Sequence, residues 1–385
     1  MLRIGFVLDA FGGSWLGGSN YLSNLVRVLN TIEGSQFQTL MFSSLPSSEH
    51  LLAKFPVTEW VQTNYFKQRS FAKASSRITK AVIGRSILQE SLFKKHNVDV
   101  AALIPSLGGN SNVPFVGWIP DFQHVHLPSL FSEDEVATRD RVFSQTVRDA
   151  RLVIVSSKSA LDDFRNFAPG MVNKARVLRF VSLPDFSADS TIIDFGGLYG
   201  IDEPFLYLPN QFWAHKNHKI VVEALAILRG RGHAPLVVCT GNKADYRAPG
   251  YFDELMTNAQ RLNVNDRFRV LGVVPYEHVR GLYDRSVAVL NPSLFEGWST
   301  SVEESKSLGK RVILSAIPTH IEQNPVRGLL FDPYDAEALA HCMQKVMSEY
   351  SSTNEPQDRL LATKDFSERV RAMALDLQSI FTEIA

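Results

Sequence analysis

Two glutamates, a lysine and the start of a helix carry the most informative chemistry in this sequence. The stretch 291–309, NPSLFEGWSTSVEESKSLG, leaves a strand-like run, turns at Glu296-Gly297 and enters a helix near Thr300-Ser301. Glu304 lies on the first turns of that helix, giving the pattern Glu, seven residues, Glu. The free N–H groups and partial positive charge of a helix start suit a phosphate. One carboxylate before the helix and one inside it can bracket a ligand by its hydroxyls, and a carboxylate accepting from a ribose diol is a physical solution for holding a nucleotide. The alternative is that Glu296 caps the helix and Glu304 is merely solvated.

Three further stretches offer polar groups at strand ends. LYLPNQFWAHKNH, 206–218, ends a strand at Pro209 and then presents Asn210, Gln211, His215, Lys216, Asn217 and His218. A lysine at a strand–helix junction can neutralise a diphosphate. His215 and His218 stand three apart, but no third ligand lies nearby, so a metal is not expected there. GWIPDFQHVHLPSLF, 117–131, sets Asp121, His124 and His126 after a strand-like run, where cleft residues occur; an ordinary structured loop is the alternative, and the histidine spacing also allows metal ligation. The glycine run from Gly12 to Ser19 would let backbone N–H groups approach a phosphate, although it is not GxGxxG and tight turns use glycine anyway. Asp-x-Asp, a common metal site for nucleotide-sugar diphosphates, is absent from the sequence. A bound diphosphate would then depend on Lys216 and helix N–H groups, with no metal or other cofactor.

These residues need a scaffold, and the apolar pattern supplies one. Residues 3–9, a glycine loop and helical spacing over 20–32 form the opening unit of a parallel α/β sheet. Short apolar runs at 98–104, 114–119 and 152–156 read as buried parallel strands, with a helix at 133–149. The stretch 184–205 is rich in Asp, Ser, Gly and Pro and reads as a linker. A second series follows, with strands at 205–209, 235–241, 267–272, 287–293 and 311–316 and helices such as 217–230 and 251–263. Residues 366–385 form a last amphipathic helix. The expected architecture is α/β in two domains, at 1–185 and 200–365.

Composition narrows the class. Of 385 residues, 45% are hydrophobic and 21% charged, a globular balance with material for two cores. Forty Lys+Arg offset forty Asp+Glu, which argues against a dedicated nucleic-acid binder. The two cysteines, Cys239 and Cys342, make no disulfide framework, and a reducing compartment fits. No run approaches the ~18 apolar residues of a membrane span, and the N-terminus has no signal-peptide pattern, so a cytoplasmic protein is expected. One region is locally basic: 67–95 holds Lys67, Arg69, Lys73, Arg77, Lys80, Arg85, Lys94 and Lys95 against a single acid, Glu90, with apolar residues interleaved. It reads either as surface helices with solvated basic faces, or as a peripheral contact with an anionic membrane or anionic acceptor.

FEGWSTSVEE resembles the E-x7-E motif of retaining glycosyltransferases with the GT-B fold, family 4. The resemblance runs along almost the whole chain: GGSNYLSNLVRVL, WIPDFQHVHLPSLFS, SSKSALDDF, KARVLRF, PNQFWAHKNH and GLLFDPYDAEALA resemble successive segments of that family in order. It implies two Rossmann-like domains facing across a cleft, the nucleotide mostly on the C-terminal one, and a final helix, 366–385, crossing back to the first. It implies that Glu296 binds donor-sugar hydroxyls, Glu304 the ribose, and Lys216 the diphosphate. Asn210, Gln211, Gly297, Trp298, Ser299, Thr300 and Ser301 would complete the donor site, with Gly18 approaching from the other domain. Two departures stand out. Gln211 occupies a position that is Arg in many members, and Pro120 replaces the histidine that many have before the residue matching Asp121. Asp121 and His124 are the expected substitutes. The implied reaction moves a hexose from a nucleotide-diphosphate sugar, of GDP-mannose or UDP-glucose type, to a hydroxyl of a glycan or lipid-linked glycan. HIEQ, 320–323, and DFQH resemble enzymes of bacterial surface polysaccharide synthesis. A GT-B-like epimerase or phosphorylase, or a non-catalytic sugar-nucleotide-binding protein, are the alternatives.

Overall fold

The computed structural model describes residues 1–11, 16–32, 36–67, 71–183, 193–350 and 355–385. The chain divides into two units, Met1–Val181 with Arg369–Ala385, and Ser182–Glu368. Among the described residues, no helix is long and apolar enough to cross a membrane.

The first unit is built on seven strands: β1 (Leu2–Val7), β2 (Phe37–Ser43), β3 (Glu59–Gln62), β4 (Val100–Ala102), β5 (Phe115–Ile119), β6 (Leu152–Val155) and β7 (Ala175–Val177). Their order is β3-β2-β1-β4-β5-β6-β7 and every pair is parallel. The helix Glu133–Asp149 forms where the period predicts it, started by a capping box between Ser132 and Glu135. Phe42, Phe93, Phe115 and Phe164 fill the core of this unit. The C-terminal helix Glu355–Ile384 begins earlier than the apolar period shows, and its Phe381 meets Phe6 and Phe37 edge-on.

The second unit has six strands: β8 (Phe205–Leu208), β9 (Leu236–Thr240), β10 (Phe268–Gly272), β11 (Ala288–Asn291), β12 (Val312–Ser315) and β13 (Gly328–Phe331). Their order, β10-β9-β8-β11-β12-β13, is again all parallel. The strand period of two divides the core between both faces of the sheet. Leu206, Leu208, Val237 and Cys239 pack on one side, and Phe205, Tyr207, Leu236 and Val238 on the other. Burial on both faces explains why these strands read as unbroken apolar runs. Of the stretch read as a linker, residues 184–192 lie outside the described residues. The remainder is no bare connection: Phe195 and Ile201 are buried in the core of the second unit. Both sheets therefore have the doubly wound order of a Rossmann-like domain, in which the strand order reverses beside the first strand.

That reversal falls between β8 and β11, and ligands of open α/β sheets bind at such a point, outside the carboxyl ends of the strands. The loop after β8 carries Lys216 and the loop after β11 carries Glu296. Gly241, one residue beyond β9, packs against the first of these loops. Its φ is +139°, and a Cβ there would stand 2.6 Å from the Asn210 carbonyl oxygen. Gly241→Ala is therefore expected to lower stability by on the order of 1–3 kcal/mol and to displace Asn210–Gln211. Urea unfolding checks this, and an unchanged midpoint would contradict the close approach.

Candidate functional site

The loop after β8 is held from three directions. Asn217 has φ +55°, and its side-chain amide donates to the carbonyls of Pro292, at 3.2 Å, and Pro333, at 2.9 Å. The Leu294 N–H donates to the His215 carbonyl at 2.8 Å, tying this loop to the one after β11. From the loop after β9, the Asp245 carboxylate accepts from the Ala214 N–H at 3.0 Å and from the Arg247 N–H at 3.1 Å. The Arg247 guanidinium lies 5.0 Å over the Trp213 ring and 3.2 Å from His215 Nδ1. Burial drives the His215 imidazole well below its ordinary range, with the charges of Lys216 and Arg247 adding to it. The ring is thus neutral, and Nδ1 accepts from Arg247.

Lys216 emerges from this frame to meet Glu296. Its ammonium stands 2.6 Å from Glu296 Oε1, and the side chains are only 15% and 10% exposed. Burial alone would raise the Glu296 carboxyl, but the Lys216 charge and the hydrogen bonds from Lys216 and Ser293 outweigh it and hold the group below the usual carboxylate range. Ser293 Oγ lies 2.7 Å from both Glu296 Oε1 and Asn291 Oδ1, and its one proton can serve either. The Asn291 amide in turn donates to Ser299 Oγ at 2.6 Å and Ser301 Oγ at 3.0 Å, fixing the first turn of the helix Thr300–Ser307. Asn210 is buried in the same network, its Nδ2 3.4 Å from Asn291 Oδ1. The N–H groups of Thr300, Ser301 and Val302 open the helix and have no intrahelical acceptor.

The short helix Pro318–Gln323 clamps the turn containing Glu296. Thr319 Oγ1 donates to the Glu296 carbonyl at 2.7 Å, and Gln323 Nε2 donates to the Ser299 carbonyl at 3.0 Å and to Glu303 Oε1 at 3.0 Å. Buried His320 donates from Nδ1 to the Ser315 carbonyl at 2.9 Å, and burial pushes it down to about 4, so it is neutral. Glu304, on the second turn, is partly buried and accepts from the Tyr283 hydroxyl at 2.8 Å. Neither glutamate is thus simply solvated. Gln211, Gly297, Trp298 and Thr300 border the same loops and are partly exposed. Sequence reasoning singled out neither Asp245, Arg247 nor the clamping roles of Thr319 and Gln323. The polar residues beyond β9 and β12 were their only signal, because every strand end in such a sheet faces the same edge.

The expected residues of the first unit are placed differently. Gly18 is buried in the first turn of the helix Leu16–Thr31, while residues 12–15 of the glycine run lie outside the described residues. Asp121 pairs with Arg139 at 2.6 Å and accepts the Gln123 N–H at 2.9 Å. His124, expected with Asp121 to substitute for a catalytic histidine, is buried and hydrogen-bonded. Its side chain is 1% exposed, Nε2 lies 2.9 Å from Asp140, and Nδ1 accepts from Arg139 Nε at 3.2 Å. Burial lowers its affinity for a proton; Nδ1 holds Arg139, which pairs with Asp121, while Nε2 meets Asp140. His126 pairs with Asp163 at 2.7 Å. Among the described residues, no three His, Cys, Asp or Glu side chains gather as a metal site.

A pair of parallel, doubly wound units, the second with an anion-suited helix start and a lysine at its reversal point, defines the α/β architecture of GT-B glycosyltransferases. HepE of Anabaena, solved in complex with UDP-glucose, matches with a TM-score of 0.69 at 16% identity, covering 100% of both chains. Sucrose-phosphate synthase of Thermosynechococcus elongatus matches with a TM-score of 0.65 at 17% identity, covering 100% of this chain and 99% of that one. In sequence, an uncharacterized glycosyltransferase of Methanocaldococcus jannaschii is 21% identical over 248 residues, 62% of this chain. The chain spans 61% of that relative's length. Residues 197–360 match the family described as glycosyl transferases group 1, and the matched segment contains Lys216, Glu296 and Glu304.

Glu304 gives this site a pH signature. Burial pushes it up to about 7, against the lowering effect of the Tyr283 hydrogen bond. An unfolded glutamate titrates near ~4.3. Between those values the folded chain keeps a proton that the unfolded chain has released, so stability falls as pH rises through the window. Glu304→Gln removes the cost of the buried charge. It is expected to stabilise the unliganded protein by on the order of 1–3 kcal/mol at about pH 8, partial exposure screening part of the effect, and to change little near about pH 4.5. Melting curves at the two pH values check this, and a gain of equal size at both would refute it.

Proposed function

We propose that the protein is a retaining glycosyltransferase moving a hexose from a nucleotide-diphosphate sugar, of UDP-glucose or GDP-mannose type, to a hydroxyl of a glycan or lipid-linked glycan. The observation that carries this reading is the buried Lys216–Glu296 pair beside the open N–H groups of the helix Thr300–Ser307. The ammonium has three protons, and Glu296 takes one, leaving donors for a diphosphate. The helix N–H groups add partial positive charge where the leaving group develops negative charge. The guanidinium of Arg247, carried on a different loop and paired with buried Asp245, braces His215 in the loop that carries Lys216. Glu296 accepts from sugar hydroxyls and Glu304 from the ribose diol.

In this reading the bond between the anomeric carbon and the diphosphate oxygen breaks, and the acceptor oxygen bonds to that carbon on the same face. The acceptor proton passes to the departing diphosphate oxygen, so no side chain need act as nucleophile. Positioning and stabilisation of the leaving charge then provide the rate. HepE and its bound UDP-glucose favour a nucleotide-hexose donor for this fold, and the sucrose-phosphate synthase likeness is consistent with a hydroxyl acceptor. The role in bacterial surface polysaccharide synthesis and the metal-independent diphosphate site belong to the same proposal.

Calorimetry with the bare nucleotide and the nucleotide sugar tests the division of labour. Glu304→Ala is expected to weaken both ligands. Glu296→Ala is expected to weaken only the sugar-bearing donor, because it releases Lys216 to the diphosphate while removing the hydroxyl acceptor. Lys216→Ala is expected to lower turnover by ~10²–10³ and to weaken both ligands. Equal losses for both ligands in Glu296→Ala would contradict the assignment.

Stereochemistry and metal dependence form a second test. Proton NMR of an early product should show the donor's anomeric configuration kept, with activity surviving EDTA. An inverted anomer would overturn the retaining assignment, and full loss of activity in EDTA would overturn the metal-free diphosphate site.

A further inference from the structure

The basic segment 67–95 forms two helices, Phe71–Ile83 and Ile87–Lys95, on the first unit. Arg69 lies outside the described residues. A surface helix of a globular domain turns its apolar stripe inward, and this pair does so only in part. Ser76 and Phe93 are buried, yet Phe71 is 88% exposed, Ile78 65% and Val82 77%. These three recur at i, i+7 and i+11, one stripe along the helix. Ile83, Ile87 and Leu88 extend the exposed apolar surface across the turn to the second helix.

The turn is fastened so that this surface cannot roll inward. The Ser86 N–H donates to the Leu107 carbonyl at 2.8 Å, and the Asn110 N–H to the Gly84 carbonyl at 3.1 Å. The Asn110 amide also donates to the Ile83 carbonyl at 3.2 Å. Charge on the segment is equally one-sided. Its single acid, Glu90, is buried and paired with Arg85 at 2.7 Å. Among the described side chains of the segment, the exposed charged ones are Lys67, Arg77, Lys94 and Lys95, all cationic.

We infer that this face docks peripherally on an anionic lipid bilayer, with Phe71, Ile78 and Val82 entering the acyl boundary and the cations meeting headgroups. A soluble polyanion would satisfy the cations and leave the apolar stripe in water. A second copy of this chain would cover the stripe and set Arg77, Lys94 and Lys95 against their own kind. A bilayer offers an apolar phase beneath a negative surface, which answers both halves of the face. The inference stands apart from the proposed reaction, since it concerns residues of the first unit only.

The test is co-sedimentation of the full chain with vesicles of phosphatidylcholine alone or mixed with phosphatidylglycerol. Wild type is expected to pellet with the mixed vesicles at low salt and at least about tenfold less with phosphatidylcholine alone. Raising salt should release it, because exposed charges are screened over ~8 Å at physiological ionic strength. Phe71→Ser with Val82→Ser should cut binding at least about tenfold with an unchanged melting temperature, as both side chains are exposed. Arg77→Glu with Lys94→Glu should do the same. Absence of pelleting at low salt, equal binding to both vesicle types, or wild-type binding by the variants would overturn the inference. So would a wild-type dimer that Phe71→Ser converts to a monomer without any vesicle binding, which would assign the face to a second copy.

Discussion

The candidate site is governed by the cost of removing an ammonium and a carboxylate from water. Lys216 and Glu296 meet at 2.6 Å in a place where neither is well solvated. Such a pair holds only if the remaining lone pairs and protons find partners. Much of the local structure follows from that need. Ser293, Asn291, Ser299 and Ser301 form a chain of hydroxyls and an amide leading from the carboxylate to the helix start. On the lysine side, Asp245 and Arg247 fix the loop by its backbone and its histidine. The ion pair is thus a reporter of how tightly three loops are held.

Two buried histidines, His215 and His320, keep the pair's electrostatics simple. Both are neutral because burial disfavours their charged forms. Near neutrality they contribute hydrogen bonds rather than charge, and the local field is set by two ion pairs, Lys216–Glu296 and Arg247–Asp245. Glu304 differs, since its burial is opposed by one hydroxyl donor and no cation. The two glutamates of one motif therefore sit in opposite electrostatic settings, one held charged by a lysine and one balanced near neutral pH.

In the first unit, Asp121 and His124 belong to a polar cluster around one arginine. Both follow a strand, as cleft residues do, and both contact Arg139, whose guanidinium also lies 5.3 Å over the Phe131 and Phe143 rings. Arg139 lies 15 residues beyond His124 on a separate helix. No local pattern links them, and the pairing exists only once that helix packs beside the loop.

The α/β class was legible in the sequence because period and composition are local properties. Strands buried on both faces must be apolar throughout, and runs such as 205–209 and 287–293 appear as β8 and β11. The short strands β3, β7 and β13 gave weaker signals, since three or four residues show little periodicity. The helix start at Thr300–Ser301 and the chemical character of Lys216 and Glu296 were likewise readable. That Lys216 touches Glu296, 80 residues away, was not, because contact across a parallel sheet depends on strand order. Strand order also brought Asp245, Arg247, Thr319 and Gln323 to the same edge. Residue types and spacing determined what chemistry was present, while the tertiary structure decided which groups are charged, paired or buried, because those properties depend on neighbours that the chain reaches only by folding.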